Sequence, residues 1–536
     1  MRETARGWNY ADVWEFIAKA IPNSSAIIQN AQQISWRQFD ENSSSLAALL
    51  EKNGIRPGDK VAQYLQNCPE YLQAVFACFK AGYVPVNTNY RYAEEEIVYL
   101  WDNADARAVI FQGQFATLIE NVRGRLPWIV SWLWVDDGSG PCPSWAESVT
   151  DAESPVPCPV GRRGGDDLVF TYTGGTTGNP KAAMWRQDDL FHALSSTSGR
   201  VVPEDFDADF VRSSLRNDLV TLVAAPLMHG FGLNNSVTTL SSGGTIVLND
   251  RGSFDGDCVI DLIERHRVSS LCLVGDAMSL PLLDVLDRST ERREVSSVRL
   301  IISAGVFWSA EVKSRLLAHF GKARLLDLLA SSEAIGTGSA SSSADSVAGS
   351  ARFTPGPFTK VVTEGGEFVA PGSGLVGRLV TGGRLPVGYY KDDAKSAATF
   401  LELDGRRWSA SGDLATVEAD GIIRLMGRET LVINSGGEKI HPEEVEIALR
   451  THPSVSDAVV VGLPDDRFGQ VIVGLVQMNP DQEFDESKIR DHVRQSLAAY
   501  KVPRHLIRVE SVGRGANGKV DIRSHIDHAQ QAIRSA

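Results

Sequence analysis

Thr171-Tyr172-Thr173-Gly174-Gly175-Thr176-Thr177-Gly178-Asn179-Pro180-Lys181 is the stretch whose reading decides this chain. The apolar run Leu168-Val169-Phe170 precedes it and has the pattern of a short buried strand. The strand delivers a loop of glycines and threonines that ends in a lysine. Glycines let the backbone approach an anion closely and turn its N–H groups inward. Hydroxyls of Thr173, Thr176 and Thr177 add hydrogen bonds, and Lys181 adds a point charge. This is the composition of a phosphate cradle. It is not a Walker A loop, because Asn179 and Pro180 separate Gly178 from Lys181. The plainer alternative is a Gly/Thr-rich surface turn with an incidental lysine.

Outward from the loop, the 536 residues suffice for several packed units. Hydrophobic residues make up 43% and charged residues 22%, a balance that allows an ordinary globular core. A net charge of -14 with no long basic block argues against a nucleic-acid partner. Small anionic ligands need only a local site and stay possible. No apolar run is long enough to span a bilayer, and the polar start Met1–Arg6 lacks a secretory apolar core. A cytoplasmic protein is therefore expected. Cys68, Cys78, Cys142, Cys158, Cys258 and Cys272 form no C-x-x-C pair. They are expected to be reduced core thiols, with no zinc site.

Helical and strand signals alternate over residues 8–165. Leu72, Val75, Phe76 and Phe79 make the buried stripe of a helix. Val61–Leu65 and Ala108–Phe111 read as strands, and helices between strands imply a parallel or mixed sheet. Further strands are expected at Leu219–Ala225, Ser270–Val274 and Val298–Ser303. The first ends in Pro226-Leu227-Met228-His229-Gly230-Phe231-Gly232, the second in Gly275-Asp276-Ala277-Met278, the third in Ala304-Gly305. Strand ends are where such sheets place ligands. Residues 334–352 are rich in Gly, Ala and Ser and read as a mobile loop. Residues 430–536 read as a small α+β domain.

Thr-Gly-Gly-Thr-Thr-Gly-x-Pro-Lys at residues 173–181 resembles the signature loop of the adenylate-forming superfamily. That superfamily includes acyl-CoA synthetases, peptide-synthetase adenylation domains and firefly luciferase. The likeness runs, with gaps, from about Trp36 to Gly518-Lys519. Met184-Trp185-Arg186 resembles a segment of actinobacterial acyl-CoA synthetases acting on steroid side chains and long acids. Pro85–Tyr92 resembles a segment of fatty acyl-CoA synthetases, and a structural role suits it equally.

The resemblance implies an α/β fold. A large N-terminal α/β domain with mixed sheets, residues 1–429, would bind ATP and the acid. A small mobile C-terminal α+β domain, residues 430–536, would carry the catalytic lysine. The active site would lie between them. It implies that Thr173, Gly174, Gly175, Thr176, Thr177, Gly178 and Lys181 hold phosphates, and that adenine lies near Ser303, Ala304 and Gly305. Asp327 opens the segment that matches the family's Tyr-Gly-x-Thr-Glu and belongs to the same nucleotide site. Ser332 and Glu333 match the Thr-Glu pair, a hydroxyl for the α-phosphate and a carboxylate for Mg²⁺. Leu329 stands where most members carry an adenine-stacking tyrosine. Asp413 would accept the ribose hydroxyls, and Arg428 would contact ribose or phosphate. Gly-Asp in a hairpin turn is the plainer reading of Asp413. Thr430 falls at the hinge, where most members carry Asp or Lys. His229, Gly230 and Phe231 would line the acyl tunnel, against the alternative of a packed core histidine. Gly436 and Gly437 would pass the pantetheine of CoA, or simply turn the chain before a helix opened by Pro442. Lys519 corresponds to the catalytic lysine.

The implied reaction is adenylation of a carboxylic acid by ATP, then acyl transfer to CoA. Such chemistry rests on positioning and charge neutralisation, with no covalent nucleophile. The motifs lean toward a long-chain or bulky cyclic acid. An amide-forming ligase would use the same adenylation residues with an amine acceptor. A nucleotide-binding regulator without turnover is the alternative outside catalysis.

Overall fold

The computed structural model describes residues 7–151, 163–173, 179–196, 201–249, 254–290, 293–428, 431–435, 438–465, 468–515 and 518–535. The chain divides into two compact units. One holds residues 1–348, 382–402 and 407–409, and the other holds 349–381, 403–406 and 410–536. Residues 349–381 and 410–428 thus pack with the C-terminal residues, so the compact units do not follow a cut at 429.

In the first unit, one sheet has the order Glu147–Ser148, Ser131–Val135, Ala106–Gln112, Lys60–Tyr64, Val84–Asn87, Leu168–Thr173, Lys181–Arg186. All its pairs are parallel except the last, an antiparallel hairpin. A second sheet runs Ala334–Ser342, Arg324–Ser331, Leu300–Ala304, Ser270–Leu273, Val220–Val223, Thr245–Leu248, Ser25–Gln29, Gln32–Ser35. Its central pairs are parallel and its flanking pairs antiparallel. The mixed α/β architecture is the expected one. Parallel strands need helical crossovers, and the helices supply both faces with apolar cover.

Helix Pro69–Ala81 shows why these sequences fold so. Proline opens it, where the missing N–H costs nothing, and Leu72, Val75, Phe76 and Phe79 are all buried. Phe76 and Phe79 pack on Trp14 at ring separations of 5.1 and 5.7 Å. Helix Trp36–Lys52 begins with a reciprocal cap, Gln38 N–H to Ser35 Oγ at 3.2 Å and Ser35 N–H to Gln38 Oε1 at 2.9 Å.

Two expectations fail. Residues 334–342 form a strand against Arg324–Ser331, with Asp327 opposite Ala340. Small residues read as loop material, but the neighbouring strand's backbone groups decide the matter and need no particular side chain. Gly275-Asp276-Ala277-Met278 does not trail a strand; it opens helix Gly275–Arg288. Gly275 has φ +43°, and a Cβ there would lie 2.4 Å from the Phe307 carbonyl oxygen, so only glycine fits.

The second unit contains the antiparallel ladder Arg352–Pro355, Ile423–Arg428, Asp413–Val417, Gly377–Thr381, Thr359–Val362. It also contains a C-terminal sheet of Glu438–Ile440, Ile433–Ser435, Gly469–Met478 and Val455–Asp465, with His505–Val509 parallel to Gly469–Met478. Helices Pro442–Arg450 and Glu486–Ser496 bury Val445, Leu449, Ile489 and Val493 in its core.

Candidate active site

The strands on either side of the loop stretch form an antiparallel pair. Leu168–Thr173 runs in, Lys181–Arg186 runs back, and Thr173 pairs with Lys181 across the ladder. These two expected phosphate ligands, both half-buried, therefore flank the loop's mouth. Gly174, Gly175, Thr176, Thr177 and Gly178 lie outside the described residues.

The return strand recruits a distant segment. Val387 N–H donates to the Met184 carbonyl at 2.8 Å, Met184 N–H to Gly388 at 2.9 Å, and Tyr390 N–H to Ala182 at 3.0 Å. This backbone pairing sets Asp392 beside Lys181, with Nζ 2.5 Å from Oδ2. Asp392 is itself fixed, because its Oδ1 accepts Lys395 N–H at 2.9 Å and caps helix Asp393–Thr399. The Lys181 ammonium, then the cap, holds the Asp392 carboxyl below its ordinary range.

The same pairing aims Tyr389, whose hydroxyl donates to Glu333 Oε1 at 2.7 Å. Glu333 N–H donates to Ser331 Oγ at 3.2 Å, and the Ser332 carbonyl accepts the Trp185 indole N–H at 2.8 Å. Lys181, Asp392, Tyr389, Glu333 and Ser332 thus belong to one connected framework, with strand Lys181–Arg186 as its spine. A cation and an oriented carboxylate on one framework suit a polyphosphate and a hard divalent ion. Mg²⁺ takes one or two carboxylates and completes its shell with phosphate oxygens and water. Glu333 meets that requirement. Among the described residues, no group of three or more His, Cys, Asp or Glu converges on a metal position.

On the acid side, His229, Gly230 and Phe231 are half-buried at the start of helix Gly230–Ser241. A Cβ on Gly230 would sit 3.6 Å from Thr171 Cγ2, so this helix begins against the hairpin strand. Two asparagines hold the segment before it. Asn67 Oδ1 accepts Leu227 N–H at 2.7 Å, and its Nδ2 donates to the Ala225 carbonyl at 3.0 Å. Asn87 reaches the Met228 carbonyl at 2.7 Å.

Ser303, Ala304 and Gly305 do lie at a strand end, but Ser303 is buried and its Oγ accepts Gly275 N–H at 2.8 Å. Asp327 faces inward: it is 5% exposed and 2.9 Å from buried Lys313 Nζ. Burial pushes its carboxyl up, and Lys313 opposes the shift. Its oxygens thus serve a buried pair, not an open nucleotide face. Alternation along Arg324–Ser331 explains this, since Leu325 and Asp327 share the buried face.

In the second unit, Asp413 and Arg428 are ladder partners, with Nε 2.7 Å from Oδ1. Ser411 Oγ donates to Asp413 Oδ2 at 2.8 Å, and Arg428 Nη1 to the Ser411 carbonyl at 2.9 Å. The two expected ribose ligands are therefore brought together. Glu443, on helix Pro442–Arg450, lies against Gly427, where an added Cβ would come within 3.3 Å of its carboxyl carbon. Burial, with Glu446 and Asp413 nearby, pushes the Glu443 carboxyl up to about 7.

Lys519 is exposed on a tight turn. Gly518 N–H donates to Gly515 at 2.7 Å, and Gly515 N–H to Lys519 at 2.8 Å. Arg514 Nη1 braces the turn at the Gly518 carbonyl, 3.2 Å away, while its Nε pairs with Asp457 at 2.5 Å. Thr430, Gly436 and Gly437 lie outside the described residues; Ser435 and Glu438 pair on either side of the glycines. Among the described cysteines none forms a disulfide; Cys68, Cys78, Cys258 and Cys272 are buried and Cys142 is half-buried. No described helix is long and apolar enough to cross a membrane.

Sequence reasoning missed Asp392, Asn87 and Glu443 as members of these arrangements, and gave Tyr389 no role. For Tyr389 and Asp392 the signal was the local segment Gly388-Tyr389-Tyr390-Lys391, whose partner strand lies some two hundred residues earlier.

Comparison with known proteins adds a second line. Residues 14–390 match the AMP-binding enzyme family model, and residues 444–519 match the AMP-binding enzyme C-terminal domain. A medium/long-chain-fatty-acid–CoA/3-oxocholest-4-en-26-oate–CoA ligase of Mycobacterium marinum is 36% identical over 529 residues, covering 96% of this chain and 95% of that protein. Among solved structures, an anthranilate CoA ligase in complex with anthranoyl-AMP aligns with a TM-score of 0.84 at 23% identity, covering 99% of this chain and 98% of its own. An amide bond synthetase from Marinactinospora thermotolerans aligns with a TM-score of 0.80 at 22% identity, covering 97% and 99%. At those identities the solved structures report a shared fold.

Proposed function

The chain belongs to the AMP-binding enzyme family, and from that premise we propose that it is an ATP-dependent acid–CoA ligase acting on medium- to long-chain or bulky cyclic carboxylic acids. In the first step a carboxylate oxygen attacks the α-phosphorus of ATP, and the α–β bridge breaks to release pyrophosphate. In the second, the thiolate of CoA attacks the acyl carbonyl and AMP leaves.

The observation that carries this reading is the framework built on strand Lys181–Arg186. Lys181 at the loop's mouth would meet the β- and γ-phosphates, where its charge offsets theirs. Thr173, with Thr176 and Thr177 of the loop, would add hydroxyl donors. Glu333, oriented by Tyr389, would hold Mg²⁺, which supplies charge neutralisation to the triphosphate. Ser332 stands next to it for the α-phosphate. Asp413 and Arg428 would fix the ribose. His229, Gly230 and Phe231 would line the acyl site. Lys519, on a segment for which Thr430 would be the hinge, would steer the carboxylate in the first step only, and Gly436-Gly437 would admit CoA in the second. The acid class follows the Mycobacterium marinum relative together with Met184-Trp185-Arg186. A need for ATP and CoA supports a cytoplasmic enzyme.

The test is pyrophosphate release across a panel of fatty and steroid side-chain acids, with CoA or a primary amine as acceptor. The proposal expects acid-dependent pyrophosphate and a CoA thioester. Amide with no thioester, or no pyrophosphate with any acid, would overturn it.

A further inference from the structure

Resting on that reading, we infer that Asn87 is a positioning residue that couples the acid site to the nucleotide loop, so that filling either one presets the other. Asn87 closes strand Val84–Asn87 and is 6% exposed. Its Nδ2 donates to the Tyr172 carbonyl at 3.0 Å and to the Met228 carbonyl at 2.7 Å. Its Oδ1 accepts Tyr172 N–H at 2.7 Å. Both amide hydrogens and the oxygen are thus engaged, all by backbone.

The partners are what matter. Tyr172 immediately precedes Thr173 at the loop's mouth, and Met228 immediately precedes His229 at the acyl wall. One rigid, two-carbon side chain therefore bolts the two ligand-bearing segments to each other. A Cβ on Gly230 would lie 3.6 Å from Thr171 Cγ2, so the two segments run close beside it. The site is buried, so water cannot replace a stretched bond, and a shift of either segment is passed to the other. Any such coupling is reciprocal between the two ligands.

Asn67 provides an internal control. It ends the neighbouring strand's exit and binds Val223, Ala225 and Leu227, which lie on the acid side. It pins the acyl segment without bridging to Tyr172.

The experiment is equilibrium binding of α,β-methylene-ATP, which cannot release pyrophosphate, with and without saturating dodecanoate. In wild type the acid is expected to lower the Kd of the analogue at least threefold. Asn87→Ser should bring that ratio close to one, while Asn67→Ser keeps it and alters the ranking of acids by chain length. A wild-type ratio of one, or an unchanged ratio in Asn87→Ser, overturns the inference; the second result would assign the coupling to direct contact between the ligands. Asn87→Asp keeps the acceptor for Tyr172 N–H and replaces Asn87→Ser if that variant does not fold. A reading independent of any variant is hydrogen exchange: dodecanoate alone should slow exchange of the Tyr172 amide in wild type, and no slowing contradicts the coupling. Pyrophosphate release from ATP in wild type is measured alongside. Its absence with every acid would defeat the ligase reading, and this inference with it.

Discussion

The two lysines proposed to act on ATP sit on different supports. Lys181 rises from a sheet strand and is paired to Asp392, which is itself a helix cap. Lys519 is exposed on a turn that Arg514 braces through the Gly518 carbonyl. A cation that must meet phosphate whenever ATP arrives profits from a fixed perch. A cation that serves one step and then withdraws must ride on something that can move without unfolding. On the proposed reading, Lys181 would belong to a standing part of the site and Lys519 to a travelling part.

The largest expected effect breaks the travelling part. Lys519→Ala should lower acyl-adenylate formation by roughly a hundredfold or more, since it removes a charge-assisted contact in the transition state. The same preparation, given ready-made acyl-adenylate and CoA, should form thioester at nearly the wild-type rate. Equal damage to both half-reactions would make Lys519 a general binding residue.

Next comes the standing part. Lys181→Ala should raise the KM for ATP by about tenfold in the first half-reaction, leave the second, whose acyl-adenylate carries no β- or γ-phosphate, near wild type, and keep the fold intact. Unchanged ATP kinetics would remove Lys181 from the phosphate site. Tyr389→Phe is a finer cut. It deletes one hydroxyl donor to Glu333, and adenylation should fall by about fivefold, with a raised Mg²⁺ requirement. An unchanged Mg²⁺ requirement would mean that Tyr389 does not orient the metal-binding carboxylate.

The smallest expected effect concerns Glu443, and it is a matter of stability. Its folded carboxyl is raised to about 7, above its unfolded value. The folded state therefore holds the proton more tightly, and its stability falls as pH rises from the unfolded pKa through about 7. Glu443→Gln should remove that loss, stabilising the protein at pH about 8 by on the order of 1–2 kcal/mol and much less at pH about 5. Melting curves at the two pH values check this. A variant less stable at the higher pH would show that the ionised carboxylate is the useful form.

The contrast also explains what was legible in the sequence. Thr173 and Lys181 could be proposed from the residues themselves because loop chemistry is local, glycines, hydroxyls and a lysine within a few positions, whereas Lys519 could be proposed only by resemblance. Asp413 and Arg428 could be paired only by resemblance, because fifteen residues of ladder bring them together. Asp392 could not be read at all. An aspartate before a short helix looks like a cap, which it is, and nothing local says that its other oxygen faces Lys181. Asn87 was hidden for the same reason, since its partners are Tyr172 in a strand and Met228 in the turn before helix Gly230–Ser241. Asp327 misled because motif position cannot say which face of a strand a side chain takes. Ala334–Ser342 misled because composition does not register a neighbour's unpaired backbone.

The claim at the centre is that the acid is activated as an acyl-adenylate, and isotope transfer tests it most directly. Dodecanoate labelled with oxygen-18 in both carboxylate oxygens is turned over with ATP and CoA, and the products are weighed by mass spectrometry. Attack on the α-phosphorus places one labelled oxygen in AMP and leaves the other in the thioester, with pyrophosphate unlabelled. Label in inorganic phosphate, with ADP as the nucleotide product, would mean an acyl-phosphate route and would contradict the account.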